Sequence, residues 1–129
     1  MAPAPEPLVS PPLTLVEQLE RYKRSAALQI QAKNPAWVTA AAPEPLLRAV
    51  IVMRIRVDSR GRTRPEILRS PNRELGQRTL RSIEVASPLP APPPDLATDL
   101  NRYGYTETWL YNRDGRFQIR TVALPQRSE

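Results

Sequence analysis

Residues 50–57 read Val-Ile-Val-Met-Arg-Ile-Arg-Val, and no other stretch limits the folding of this chain so strongly. On extended backbone, side chains alternate faces with a period of two. Ile51, Met53, Ile55 and Val57 therefore share an apolar face, while Val50, Val52, Arg54 and Arg56 share one that ends in charge. Such a strand needs a cover on one side only. Asp58-Ser59-Arg60-Gly61 follows as a turn, because Asp bonds its own backbone and Gly accepts the positive φ that closes such a loop. Thr63, Pro65 and Ile67 against Arg64, Glu66 and Leu68 make a return strand. Pro65 lacks an amide hydrogen, which places that strand at a sheet edge. Ser70-Pro71-Asn72 then starts a helix, with a polar N-cap and proline near the first turn. Leu75, Thr79, Ile83 and Ala86 form one stripe of it with Leu80 alongside, the spacing of a helix packed on a sheet.

The flanks extend this hairpin-plus-helix unit. Residues 13–33 are expected as a helix in which Thr14 and Glu17 have capping-box spacing. Leu15, Leu19, Tyr22, Ala26 and Ile30 make its apolar stripe, and Asn34-Pro35 stops it. Residues 36–45 form a linker whose Trp37 is expected as a core plug. Residues 87–94, rich in proline, are expected as a rigid extended crossing segment. Residues 105–111 (Tyr-Thr-Glu-Thr-Trp-Leu-Tyr) alternate again with strand-forming residues. Asn112-Arg113-Asp114-Gly115 turns the chain into a return strand over 117–122, with Trp109 and Phe117 as packing residues. The expectation is an α+β fold, an antiparallel three- to four-stranded sheet packed against two helices. One domain covers 13–124, between a proline-rich mobile arm at 1–12 and a tail at 125–129.

Composition removes several function classes. The chain has 16 prolines among 129 residues. Roughly 90 residues remain for a core, enough for one small domain. It has no cysteine and no histidine, which excludes disulfides, thiol nucleophiles, imidazole bases and the commonest zinc ligands. Asp58 and Asp114 belong to turns, and Glu66, Glu74 and Glu84 scatter without a partner that tunes a pKa. No glycine-rich phosphate loop exists among four glycines. No enzyme site, metal site or cofactor is expected. The longest apolar run falls far short of the ~20 residues of a membrane span, and no signal peptide opens the chain, so a soluble polypeptide is expected. The net charge of +6 is compatible with an acidic partner, although arginines spread along solvated faces are the expected arrangement.

Taken together, residues 50–58, Gly61, residues 67–70, the helix through Ile83, and Ser87-Pro-Leu-Pro-Ala-Pro-Pro-Pro resemble the C-terminal domain of the TonB family of energy transducers. The shared pattern is an apolar strand ending in Val-Asp-x-x-Gly, a strand ending near Arg-Ser, a helix, a small-residue turn into a proline run, and a final strand. The resemblance implies a periplasmic domain that grips a short peptide, the TonB box, of outer-membrane transporters. An inner-membrane motor is a partner only through an N-terminal anchor preceding the domain. The physics agrees, since an open sheet edge carries unpaired amides and carbonyls that an extended peptide completes by strand addition.

The binding strand is expected at 105–111 or 117–122. Tyr105, Glu107, Trp109, Tyr111, Arg116, Gln118 and Arg120 are the candidate partner-binding residues, with Arg116 and Arg120 available to an acidic peptide. A full terminal hairpin departs from the family pattern, so residues 117–122 stand where a peptide pairs in relatives. Three other readings compete: a TolA-like protein-binding domain, a dimer by strand exchange, and a basic nucleic-acid-binding module. Pro65 and the charged strand faces oppose exchange. The arginines lie on no single face and no nucleic-acid motif appears, so no nucleic-acid partner is expected.

Overall fold

The computed structural model describes residues 13–125, so the expected mobile arm and most of the expected tail lie outside the described residues. Three helices and four strands run in the order α1 (Leu15–Lys33), β1 (Ala49–Val57), β2 (Thr63–Arg69), α2 (Arg73–Ala86), α3 (Pro94–Arg102), β3 (Tyr105–Tyr111) and β4 (Phe117–Ile119). The strands form one antiparallel sheet in the order β2-β1-β3-β4. The expected α+β class therefore stands, with one more helix than expected. No helix among the described residues is long and apolar enough to cross a membrane.

The helix starts follow from their caps. The Thr14 hydroxyl accepts the Glu17 amide at 3.1 Å, and the Asn72 side chain accepts the Leu75 amide at 3.0 Å. Each bond satisfies a donor that the first turn leaves without a partner. β1 buries Ala49, Ile51, Met53, Ile55 and Val57 on the helix side, as its alternation requires. β2 is an edge strand, with Pro65 opposite Ile55. From α2, Leu75, Thr79, Ile83 and Ala86 are buried, together with Ser82.

A polar chain crosses this core. The Tyr111 hydroxyl meets the Thr79 hydroxyl at 2.8 Å, and Thr79 donates to the Leu75 carbonyl at 2.8 Å. The Trp109 indole donates to the Ser82 hydroxyl at 3.2 Å. Ser82 in turn donates to the Thr79 carbonyl at 2.7 Å. The hydroxyls and the indole of this chain are thus paired rather than stranded, and these bonds fix how α2 sits on β3.

Four expectations need correction. The extended proline segment stops at Pro93, because Pro94 opens a helix that was not expected, α3, with Asp95 in its first turn and Leu96 and Leu100 buried. Proline suits a first helical position, where no amide is needed. Gly104, at φ 72°, closes the helix by donating to the Leu100 carbonyl at 3.1 Å. Second, Leu15 lies 48% exposed, because the first turn of α1 overhangs an open cleft shared with Leu96, Leu100 and Tyr103.

Third, Trp37 is no core plug but is 44% exposed, and the Arg78 guanidinium lies 4.1 Å from its ring centroid. Val38 bridges Phe117 in parallel and packs against the core; alternation then turns Trp37 outward. Fourth, the last strand ends at Ile119, and residues 120–122 curl into a 3-10 turn that touches α1 and β3.

The turn at Asp58 closes as expected and does more. Asp58 accepts the amides of Arg60 and Arg62, each at 2.9 Å, on one carboxylate oxygen. Gly61, at φ 85°, accepts the Leu89 amide at 2.8 Å on its carbonyl. Leu89 is buried, so the proline-rich segment docks against the hairpin turn. α1 holds the same segment from its other side, through the Tyr22 hydroxyl to the Pro90 carbonyl at 2.9 Å and Gln29 to the Pro88 carbonyl at 2.7 Å.

Candidate functional site

A sheet of this order offers two edges to a partner, the outer sides of β4 and β2. They differ in what already occupies them.

The β4 edge is closed. The Phe117 amide donates to the Trp37 carbonyl at 2.8 Å, and the Phe117 carbonyl accepts the Thr39 amide at 3.1 Å. The Ile119 amide donates to the Gln31 side chain at 2.8 Å. Gln118 donates to the Thr39 carbonyl at 2.7 Å. β4 pairs only with residues 109–111 of β3, which leaves the rest of that flank to be capped. The Thr108 amide donates to the Glu107 carboxylate at 2.9 Å, and the other Glu107 oxygen accepts the Thr121 hydroxyl. The 3-10 turn thus finishes what the short strand does not cover.

The β2 edge is open. The Asp58 amide donates to the Arg62 carbonyl at 3.0 Å, which sets the alternation of the antiparallel ladder. Arg64 and Glu66 consequently direct their backbone groups at Arg56 and Arg54, their partners in register. Thr63, Pro65 and Ile67 direct theirs away from the sheet. Among the described residues no backbone hydrogen bond is made along that outer side, and the one side-chain bond there runs from the Thr63 hydroxyl to the Ser87 hydroxyl at 3.3 Å. Pro65 lowers the donor count of the edge by one, and its carbonyl remains.

Side chains on β2 sort by face. Arg64, Glu66 and Leu68 belong to the open sheet face and are exposed, whereas Thr63, Pro65 and Ile67 turn towards α2 and are half-buried. A cleft of about 360 Å³ runs beside the edge on the helix side, lined by Thr63, Pro65, Leu80, Glu84 and Ser87. A second cleft, of about 780 Å³, lies between the hairpin turn and α3 and includes Arg62, Arg64, Thr98 and Arg102. Arg64 is fixed at its rim, donating at 2.9 Å to both the backbone and side-chain oxygens of Asn101.

The residues expected to bind a partner fall elsewhere. Tyr105, Glu107, Trp109 and Tyr111 are buried on the helix face of β3, and β3 lies between β1 and β4 rather than at an edge. Gln118 is buried. Only Arg116 and Arg120 of that set are exposed. Burial keeps the phenols neutral: withdrawal from water raises Tyr105 far above its ordinary value, with Tyr22 and Glu107 adding to the rise. Burial raises Tyr111 as well, against the opposing bond from Thr79 and the charge of Arg78. The sequence does hold a signal for β2, since Pro65 implies an edge position. It holds none for the loss of the β4 edge, which depends on Trp37, Thr39 and Gln31 arriving from far along the chain.

The one charged group at this end with a resolved shift is Asp58. Desolvation pushes its carboxyl up, but the Arg62 side chain and the Arg62 and Arg60 amides outweigh that and hold it below the ordinary range. A lowered folded-state value adds stability above the unfolded value, and that stability is lost as pH falls through the folded one. We expect Asp58→Asn to flatten the acid limb of a stability-against-pH curve, as read by thermal unfolding. An unchanged limb contradicts the assignment.

Comparison with family models, with curated proteins and with solved structures finds no match to this chain.

Proposed function

We propose that this domain binds an extended peptide of a partner protein by strand addition, as a periplasmic TonB-type transducer domain engaging outer-membrane transporters. The uncovered outer side of β2 supports this reading more than any other observation. Two of its residues, Thr63 and Ile67, turn both amide and carbonyl outward, and Pro65 adds a carbonyl. Main-chain pairing to such an edge supplies grip, and alternate side-chain pockets supply choice. The site differs from the one the sequence suggested. A peptide beside β4 has to displace Trp37, Thr39 and Gln31, whereas a peptide beside β2 displaces nothing described.

A panel of TonB-box peptides titrated into the isotope-labelled chain, followed by amide shifts, tests this. Strand addition at β2 predicts shifts centred on Thr63–Arg69 and their β1 neighbours. The absence of shifts with every peptide, alongside broad salt-sensitive shifts with a random oligonucleotide, contradicts it and favours the nucleic-acid reading.

A further inference from the structure

Given strand addition at β2, we infer that the incoming strand carries carboxylates on the side facing the open sheet face and small apolar residues on the side facing α2. The inference rests on the strand-addition reading and adds the chemistry of the partner. A strand laid beside β2 alternates its side chains between these two faces, and the two faces differ in charge.

On the open face the incoming side chains meet Arg64, Glu66 and Leu68. Glu66 is already engaged by Arg56 at 3.4 Å, and Asp58 by Arg62 at 2.7 Å. Arg54, Arg64 and Arg69 have no ion pair among the described residues. Of these, Arg64 is the best placed. Its two bonds to Asn101 employ a single guanidinium nitrogen, out of five N–H donors on three nitrogens. The cleft at its rim also has room for a second side chain. A carboxylate opposite Arg64 meets a cation held in place, so less side-chain entropy is lost on pairing.

On the helix face the incoming side chains meet Pro65, Ile67, Leu80 and the small cleft. The Glu84 carboxylate lines that cleft and repels an acidic residue. The same strand is therefore drawn to one orientation, acid outward and apolar inward. A peptide with its charges in one block satisfies neither face.

The full chain, isotope-labelled, is titrated at low and moderate salt with two peptides of identical composition. One alternates glutamate with valine and alanine; the other holds the same residues in blocks. The alternating peptide is expected to shift the amides of Thr63–Arg69 and to bind roughly tenfold more tightly than the blocked one. Arg64→Glu is expected to weaken it roughly tenfold and Arg64→Gln by less, both with unchanged thermal unfolding. Equal binding of the two peptides, or indifference to Arg64→Glu, overturns the charge pattern while strand addition at β2 stands. Shifts centred on residues 117–122 overturn the β2 assignment. Failure of these peptides and of every TonB-box peptide overturns strand addition itself. A concentration-dependent dimer in sedimentation, with the β2 shifts present before any peptide is added, gives the edge to a second copy, with Arg64 set against Glu66, and overturns the partner assigned here.

Discussion

Gly61→Ala is expected to destabilise the domain by about 3–5 kcal/mol, among the largest effects of any single substitution in it. Two costs coincide. The residue sits at φ 85°, where a Cβ is strained. A Cβ built there also lies 1.9 Å from the Leu89 carbonyl oxygen and 2.9 Å from its carbon. Those are backbone atoms, and they cannot swing aside as the tip of a side chain can. The Leu89 amide is bonded to the Gly61 carbonyl, so relief requires lifting the proline-rich segment away from the turn. That in turn strains the bonds of Tyr22 and Gln29 to it. Urea unfolding measures the loss; a decrease below about 1 kcal/mol, the cost of the backbone term alone, contradicts the docking of residues 87–90 on this turn.

Trp109→Ala is expected to cost about 3–5 kcal/mol. The ring is fully buried, with its centroid 6.4 Å from that of Phe117, and truncation leaves a cavity between β3 and α2. The Ser82 hydroxyl also loses its indole donor. Trp109→Phe separates the two effects: most of the volume is kept, and the lost hydrogen bond alone costs about 1 kcal/mol. If both variants unfold at the same urea concentration, the polar chain through Ser82 dominates this site and packing does not.

Much of this fold was legible because its nucleus is local. The alternation from Val50 to Val57, the Asp58 turn, the Asn72 cap and the Leu75–Thr79–Ile83 stripe each depend on residues a few positions apart. α3 was legible in principle as well, since proline at a helix start, Leu96 and Leu100 four apart, and Gly104 at the end are its signature. The surrounding prolines concealed it. The fate of Trp37 and of the last strand was not legible. Whether Trp37 plugs the core or faces solvent depends on the register of the isolated parallel bridge between Val38 and Phe117. The shortening of β4 depends on the Gln31 side chain and on Thr121 reaching Glu107.

The candidate site follows the same division. Pro65 marked β2 as an edge from the sequence. The family resemblance nevertheless pointed to the terminal hairpin, where Tyr105, Trp109 and Tyr111 are buried. Those aromatics are the core. An edge offers its backbone, which composition does not display, and only the assembled sheet distinguishes an occupied edge from an empty one.

Amide hydrogen exchange in the peptide-free domain tests this distinction most directly. Unpaired edge amides exchange at rates close to those of unfolded chain, and paired ones are protected up to the global stability. Fast exchange is expected at Thr63 and Ile67, and strong protection at Phe117, Ile119 and Thr108. The reverse pattern, with β2 protected and β4 exchanging freely, would contradict it and return the partner to the terminal hairpin.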